Sequence, residues 1–534
     1  MFEKMTPNQR LIVAVVLSVV FFIIYTAIFP PKKPVANDTK NTVTSTSQQK
    51  TGKQETKNIE DIVGHKVSEA DRAVVGSSSD ILTVQNKNFI LKMDTLGRIS
   101  SKVLLETKFN DKDGNQQQLV SLTKTKPLFI RFLDESLNKE ALKVPYVSSV
   151  KNVTLQGKPQ KVVLTQKLSK LTVTKELTFY PDGHYDVKIS LSKDKRYFIY
   201  LGQHPKSSKR TIAAAGAMIY TQDGVAHIIE NGDAEGRQIF SGVEFISSFN
   251  QYTATILYGF PKNTNIIVEA DRDEDPVVYF DGLQTMQFNG YIGEKNFELL
   301  KSIKPILTNA IEYGWFTFVS KPLFAFLSWL HGIFGNWGWA IIALTLIVRV
   351  VLYPLTYKGM MSMQRMKEIA PKVKELQAKY KGDPQRMNAA VMDLYKKHNA
   401  NPLGGCLPMI LQIPIFFAIY RVLLNAVELQ GAPWILWIDN LAQMDPYYVL
   451  PILMGGSMFL QQRMSPNNIT DPMQEKIFKY LPVVFTFFFM TFPAGLVLYW
   501  VVNNLFSILQ QFIVNQQFQN KKDLEQALAK KDKK

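Results

Sequence analysis

Residues able to do chemistry are sparse in this chain, and the informative ones sit where polar groups are least expected. The run ALTLIVRVVLYPLTY, Ala343 to Tyr357, places Arg349 inside an apolar stretch. A guanidinium stays protonated inside a protein, so in hydrocarbon it needs water, a counter-ion or a hydrogen-bonding partner. Thr345, Arg349 and Tyr353 follow one another at four-residue spacing, which on a helix puts them on one face. A second apolar run, AGLVLYWVVNNLFSILQQFIV, carries Trp500, Asn503, Asn504, Ser507 and Gln511 down one side, and Gln412 interrupts MILQIPIF. Intramembrane polar groups commonly face a bundle interior or a wet cavity, so these residues predict one hydrophilic pocket with Arg349 as its only strong charge. The alternatives are that Arg349 snorkels toward headgroups near Lys358 and that the amides are interhelical glue.

Several activities are disfavoured by what the pattern lacks. The centres of the apolar runs hold no Asp or Glu for a proton relay, and Arg does not recur at every third residue as in a voltage sensor. There is no GxxxxGK[ST] phosphate loop and no HExxH metal site, and no histidine falls in a spanning run. The expectation is a protein that is not an enzyme and carries neither cofactor nor metal.

These residues must be positioned by a membrane domain. The chain has 534 residues, a formal net charge of +17 and an unremarkable mean hydropathy that conceals strong segregation. Leu11 to Phe29 is about 19 residues without a charge, long enough for a bilayer core of roughly 30 Å, and it ends in Ile28-Phe29-Pro30-Pro31 rather than in small residues. It reads as an uncleaved anchor, followed by a polar tether. Further spans are predicted at Trp337 to Leu355, Leu407 to Val427, Tyr447 to Met464, Phe478 to Phe492 and Ala494 to Val514, about six in all. PLFAFLSWLHGIFG, Pro322 to Gly335, is too short to span and reads as a helix lying in the interface.

Between tether and spans, strand patterning dominates. Leu171, Val173, Leu177 and Phe179 alternate with polar residues, Pro181-Asp182-Gly183 makes a turn, and Tyr185, Val187, Ile189 and Leu191 alternate again. Asp61 to Glu298 is therefore expected to be an antiparallel β-sandwich. The single cysteine, Cys406, excludes an intramolecular disulfide.

Charge sets the orientation. Lys358 to Lys397 holds about ten basic residues, the loop from Val427 to Tyr447 holds none, and the tail is basic. By the positive-inside rule the long loop and both ends are cytoplasmic, and the β domain lies across the membrane, in a bacterium the periplasm. Met366, Ile369, Val373 and Leu376, then Met387, Val391 and Leu394, flank Gly382-Asp383-Pro384 and predict a helical hairpin. Pro371 is a potential kink in its first arm. Met360, Met361, Met363 and Met366 suit either a pliable contact surface or ordinary hairpin packing. Arg421 sits near the outer end of its span, placed to snorkel or to approach Glu428.

The motifs TLIVRVVLYPLT, NPLGGCLPMILQIPIFFAIY, DPYYVLPILMG, QRMSP with DPMQ, and FPAGLVLYWVVNN resemble the YidC/Oxa/Alb family of membrane protein insertases, in the Gram-negative form with an extra N-terminal span and a large periplasmic domain. The resemblance covers about Ile306 to Gln517 in motif and the remainder in arrangement. It implies a five-span core with a hydrophilic groove open to cytoplasm and lipid, with Arg349, Thr345 and Gln412 as groove residues and Tyr499 and Trp500 as substrate-contacting aromatics; Asn503 and Asn504 join them from the polar face. Trp500 stands where some relatives have tyrosine, and Arg421 is outside the family pattern.

The expected division is therefore residues 1–30 as anchor, 31–60 as flexible linker, 61–300 as periplasmic β-sandwich, 301–336 as interfacial amphipathic helix, 337–517 as insertase core with the cytoplasmic hairpin at 356–403, and 518–534 as basic tail. The resemblance also implies an inner-membrane location and a role inserting and helping to fold nascent membrane proteins, alone or with the Sec translocon and its accessory subunits. Met360, Met363 and Met366 of the hairpin would contact substrate, the hairpin and tail would meet ribosome or targeting machinery, and lipid would border the groove. The alternative reading from the residues alone is a transporter or anion channel with Arg349 in its pathway; against it stand the missing coupling carboxylate and the lack of an internal repeat.

Overall fold

The strand-patterned segment folds into three sheets in a computed structural model that describes residues 79–110, 114–205, 214–313, 317–398, 407–464 and 472–531. The expected anchor at 1–30, the linker at 31–60, the start of the β domain and Cys406 lie outside the described residues. The nine-stranded sheet runs in spatial order Ala226–Glu230, Gly216–Thr221, Val243–Phe249, Thr253–Tyr258, Thr285–Glu294, His184–Leu191, Thr172–Phe179, Gln160–Lys167 and Val147–Ser148. A five-stranded sheet shares its core, and Phe280 of that sheet meets Phe288 of the larger one edge-on at 5.3 Å. The third sheet has four strands. Its pairing of Asp80–Gln85 with Asn152–Thr154 is parallel, which departs from the antiparallel expectation, and the sandwich carries this extra sheet.

The hairpin at Pro181-Asp182-Gly183 pairs Phe179 with Tyr185 and Val173 with Leu191, and Gly183 has φ +91°, a backbone region that glycine enters at little cost. Alternation carries an unexpected member: Lys175, in register with Val173 and Leu177, is fully buried. Its ammonium donates to the carbonyls of Gly97 (2.7 Å) and Leu128 (2.8 Å) and lies over the Tyr146 ring. Lys102 repeats this against Gly183 and Ile292 carbonyls and the Phe89 ring. Burial pushes both ammonium groups down to about 7.

Strands Val243–Phe249 and Thr253–Tyr258 are buried nearly throughout because the nine-stranded sheet is covered on both faces. One face meets the five-stranded sheet, and the other joins Phe245, Phe249, Ile256 and Tyr291 to a second core built from helices. Among the described residues the helices are α1 (Glu135–Ala141), α2 (Phe297–Ile303), α3 (Thr317–Phe334), α4 (Trp337–Val351), α5 (Tyr353–Lys379), α6 (Pro384–Lys397), α7 (Leu407–Asn425), α8 (Val449–Met464), α9 (Pro472–Phe489) and α10 (Ala494–Lys531). Polar contacts tie sheet to helices. Gln251 Nε2 donates to the Leu424 carbonyl (2.9 Å), Asn425 Nδ2 to the Glu312 carbonyl (2.9 Å), and the Phe297 amide to Glu428 Oε1 (2.9 Å).

Helix α3 begins at Thr317, earlier than the sequence suggests, and runs through Pro322. Ser320, Phe324, Leu327 and Leu330 face inward, while Phe318, Trp329 and Ile333 are exposed, so both of its faces are apolar. The first predicted core span is corrected. Helix α4 ends at Val351 and the chain bends by 63° into α5, because Pro354 has no amide to continue the ladder and suits the first turn of a new helix. Tyr353 therefore opens a different helix from Thr345 and Arg349 and does not share their face.

Helix α5 continues through Pro371, and Asp383 caps α6 by accepting the Arg386 amide (3.0 Å) with Pro384 at the first helical position; α5 and α6 pack together. By length and composition Ala494–Leu524 alone among the described helices suffices to cross a membrane, and the bent pair α4–α5 counts as a second if taken as one span. Helix α10 runs without a break from the last predicted span through the basic tail to Lys531.

Candidate substrate groove

Three helices converge on one amide. Asn503 of α10 accepts from Arg349 Nε of α4 at 2.7 Å and from Gln412 Nε2 of α7 at 3.2 Å through the same Oδ1, and its backbone carbonyl faces Arg349 Nη2 at 3.4 Å. Arg349 is only 7% exposed, and no carboxylate lies within ion-pair distance of it among the described residues. Its charge is thus solvated by amides and left unneutralised. This geometry disfavours snorkelling, since the guanidinium is held sideways into the bundle.

The cleft at this point is lined by Thr345, Val348, Arg349, Leu352, Thr356, Gln412, Ile415, Tyr499 and Asn503, and its free space holds about one water. Thr345 is buried, and its hydroxyl is turned back to the Ile341 carbonyl (2.7 Å), so it contributes a wall rather than a free donor. Tyr499 is buried at the same wall.

The polar face expected along α10 is split among different partners. Asn504, a hundred degrees around the helix from Asn503, donates to Ser457 Oγ of α8 at 3.1 Å and stays out of the Arg349 cleft. Ser507 donates to the Asn503 carbonyl (2.8 Å), and Gln511 to Asn515 (2.7 Å), which also receives Gln364 of α5. Trp500 is half-buried in an aromatic cluster, 4.7 Å from Phe416 and 4.8 Å from Phe489 between ring centroids, rather than lining the cleft. Val348, Leu352, Thr356 and Ile415 are cleft residues that sequence reasoning missed. Spacing was a signal for Ile415, three residues beyond Gln412, whereas Thr356 reaches the cleft only through the bend at Leu352.

Helix α7, whose Gln412 and Ile415 line the cleft, exposes Ile413 and Phe417, and α9, which meets α10 where Phe485 and Phe489 pack on Trp500, exposes Val483, Val484, Phe487 and Phe488. Met360, Met363 and Met366 lie half-buried on α5, away from the Arg349 cleft. Arg421 forms no ion pair with Glu428. The Glu428 carboxyl instead receives the Phe297 amide.

The family model described as the 60Kd inner membrane protein matches residues 329–522, and that described as the YidC periplasmic domain matches residues 247–326. Similarity over nearly the whole chain is found with proteins named membrane protein insertase YidC. Those of Wolinella succinogenes (46% identical, 98% of this chain and 97% of the relative), Campylobacter jejuni (47%, 96% and 96%) and Helicobacter pylori (43%, 97% and 98%) align almost end to end.

Proposed function

The chain belongs to the YidC family of membrane protein insertases, an inner-membrane protein with a periplasmic domain, and from that premise we propose that the Arg349 cleft is where its substrates are received. The observation that carries the reading is a buried arginine held by a neutral amide, in a bundle whose helices α7 and α9 expose apolar faces.

A short extramembrane segment of a nascent membrane protein, acidic or polar, is drawn to the unneutralised guanidinium. With its polar segment held part-way across, the client has less hydrocarbon to cross. Its apolar segment then leaves along α7 and α9 into lipid. Each Leu, Ile, Phe or Val that reaches lipid contributes roughly 0.3 to 0.6 kcal/mol, and the membrane potential acts on any charges that cross. The driving force is partitioning, so no covalent chemistry, nucleotide, cofactor or metal is required. The cleft has room for about one water, so on this reading the helices that line it part when substrate arrives.

In the finer topology, α4, α7, α8, α9 and the first part of α10 are the five core spans. The α5–α6 hairpin and the basic end of α10 are cytoplasmic, as the concentration of Lys and Arg there supports. There they would meet ribosome or targeting machinery, with the Sec translocon as a lateral partner. Aromatic residues Tyr499 and Trp500 would act in different ways: Tyr499 at the cleft wall, Trp500 by bracing α10 against α7 and α9.

The test is reconstitution. Purified protein in liposomes should insert a two-span client without nucleotide, and Arg349→Ala should slow it at least tenfold while leaving the fold intact. Solute or anion flux through the same liposomes, blocked by Arg349→Ala, with no client insertion would overturn the reading.

A further inference from the structure

Gln510 is the member of the α10 polar ladder left without a partner. It is 2% exposed, and both its amide nitrogen and its amide oxygen are buried with no hydrogen bond. Its neighbours are all engaged: Asn503 with Arg349 and Gln412, Asn504 with Ser457, Gln511 and Gln364 with Asn515. A buried amide unsatisfied at both atoms is costly, and in native proteins such a group marks a missing water or a functional partner.

Its position points to the partner. Asn503, Ser507, Gln510 and Val514 succeed one another at spacings of four, three and four, so they form one face of α10. At 1.5 Å per residue Gln510 stands about 10 Å along the helix from Asn503. It is bracketed by the contacts Arg349–Asn503 on one side and Gln364–Asn515 on the other.

We propose that Gln510 is a substrate-contacting residue of the insertion reaction, whose amide pairs with a backbone peptide group of an extended client segment held at Arg349. The proposal rests on the groove reading above. A primary amide offers a donor and an acceptor that match the carbonyl and N–H of a peptide unit. A helical client has already satisfied those groups internally, so the segment that uses Gln510 is extended. In an extended chain about 10 Å corresponds to about three residues, whereas in a helix it corresponds to about seven. In the closed arrangement the unpaired amide is a standing penalty, and it is relieved when the covering faces separate and the client arrives.

Disulfide mapping tests this. The chain has one cysteine, so a Cys406→Ser background allows a single thiol to be placed by Asn503→Cys or by Gln510→Cys. Each is paired against single cysteines walked through the polar segment of a stalled client. Cross-links from both positions, with maxima offset by about three client residues, are the expected result. An offset of about seven, or cross-links at 503 with none at 510, overturns the role of Gln510 and leaves the groove reading standing. Absence at both positions overturns the groove reading and the proposal with it. A second variant covers any loss of folding: Gln510→Leu removes the polar atoms at similar size. It is expected to slow insertion roughly five- to tenfold with thermal stability unchanged or raised, and Gln510→Asn should restore part of the rate. A Gln510→Leu protein that inserts at the unaltered rate would overturn the proposal.

Discussion

Arg349 Nε donates to Asn503 Oδ1 at 2.7 Å, and no carboxylate approaches that guanidinium among the described residues. The distinction matters because an aspartate in the same place would fix the arginine equally well and cancel its charge. A neutral acceptor orients the cation and leaves its field uncancelled.

Replacing Asn503 by Asp should therefore separate stability from function. The expected outcome of Asn503→Asp is a buried ion pair with Arg349, unchanged or higher thermal stability, and insertion of acidic clients reduced by at least tenfold. Asn503→Leu should instead lower stability by about 2 kcal/mol, since it strips acceptors from both Arg349 and Gln412. Thermal unfolding and liposome insertion, measured on the same preparations, check both. Full activity in Asn503→Asp would show that the charge is not what the client reads.

Helix α8 approaches α9 through Gly455. A Cβ there would stand 1.8 Å from Thr486 Oγ1, whose hydroxyl is tied back to the Pro482 carbonyl at 2.8 Å. Small residues permit such close approach of membrane helices. Gly455→Ala is expected to cost about 1 to 3 kcal/mol through overpacking, and Thr486→Ala to recover part of that in the double variant. Gly456, with nothing near its would-be Cβ, is the control: Gly456→Ala should be close to neutral.

The polar cluster was legible because intramembrane polar residues are rare enough for type alone to mark them, and Arg349, Gln412 and Asn503 do meet. What spacing could not tell is how one helix divides its polar residues among neighbours. Asn503 and Asn504 are adjacent in sequence yet serve α4 and α8, and Trp500 faces aromatic rings. Tyr353 failed because four-residue periodicity assumes an unbroken helix, and Pro354 breaks it. In the β domain, alternation identified the hairpin but passed over Lys175, since a lysine on an inward position looks like an interruption. Its two carbonyl acceptors come from residues distant in sequence, which no local pattern contains.

Glu428 makes the junction between β domain and helices sensitive to pH. Burial holds its carboxyl up at about 7, and Oε1 accepts the Phe297 amide at the start of α2. Its folded-state affinity for protons exceeds that of the unfolded chain, so its contribution is full below the ordinary carboxylate range and is lost as pH rises toward and through 7. Hydrogen exchange at the Phe297 amide, corrected for intrinsic rate, should be slower at pH 5.5 than at pH 8. Glu428→Gln should flatten that difference, and a difference that survives the substitution would exclude Glu428 as its source.

The buried lysines give the opposite slope. With Lys102 and Lys175 lowered to about 7 by burial, the unfolded chain binds more protons between about 7 and the ordinary lysine range. Stability of the β domain should therefore rise with pH across that window. Melting of the sheet signal is expected at higher temperature at pH 9 than at pH 6.5, with the gap narrowed by Lys102→Met and Lys175→Met. A gap unchanged in both variants would contradict the assignment.

The central claim is that Arg349 reads negative charge on the client, and a charge-exchange cycle tests it most directly. Insertion into liposomes is measured for a client with an acidic polar segment and for its neutral counterpart, each with the unaltered protein and with Arg349→Ala. The expected result is a preference for the acidic client of about tenfold or more that disappears in Arg349→Ala, so that the two changes are not additive. Equal preference for the acidic client with and without Arg349 would contradict the account and leave the arginine as a structural tie to Asn503.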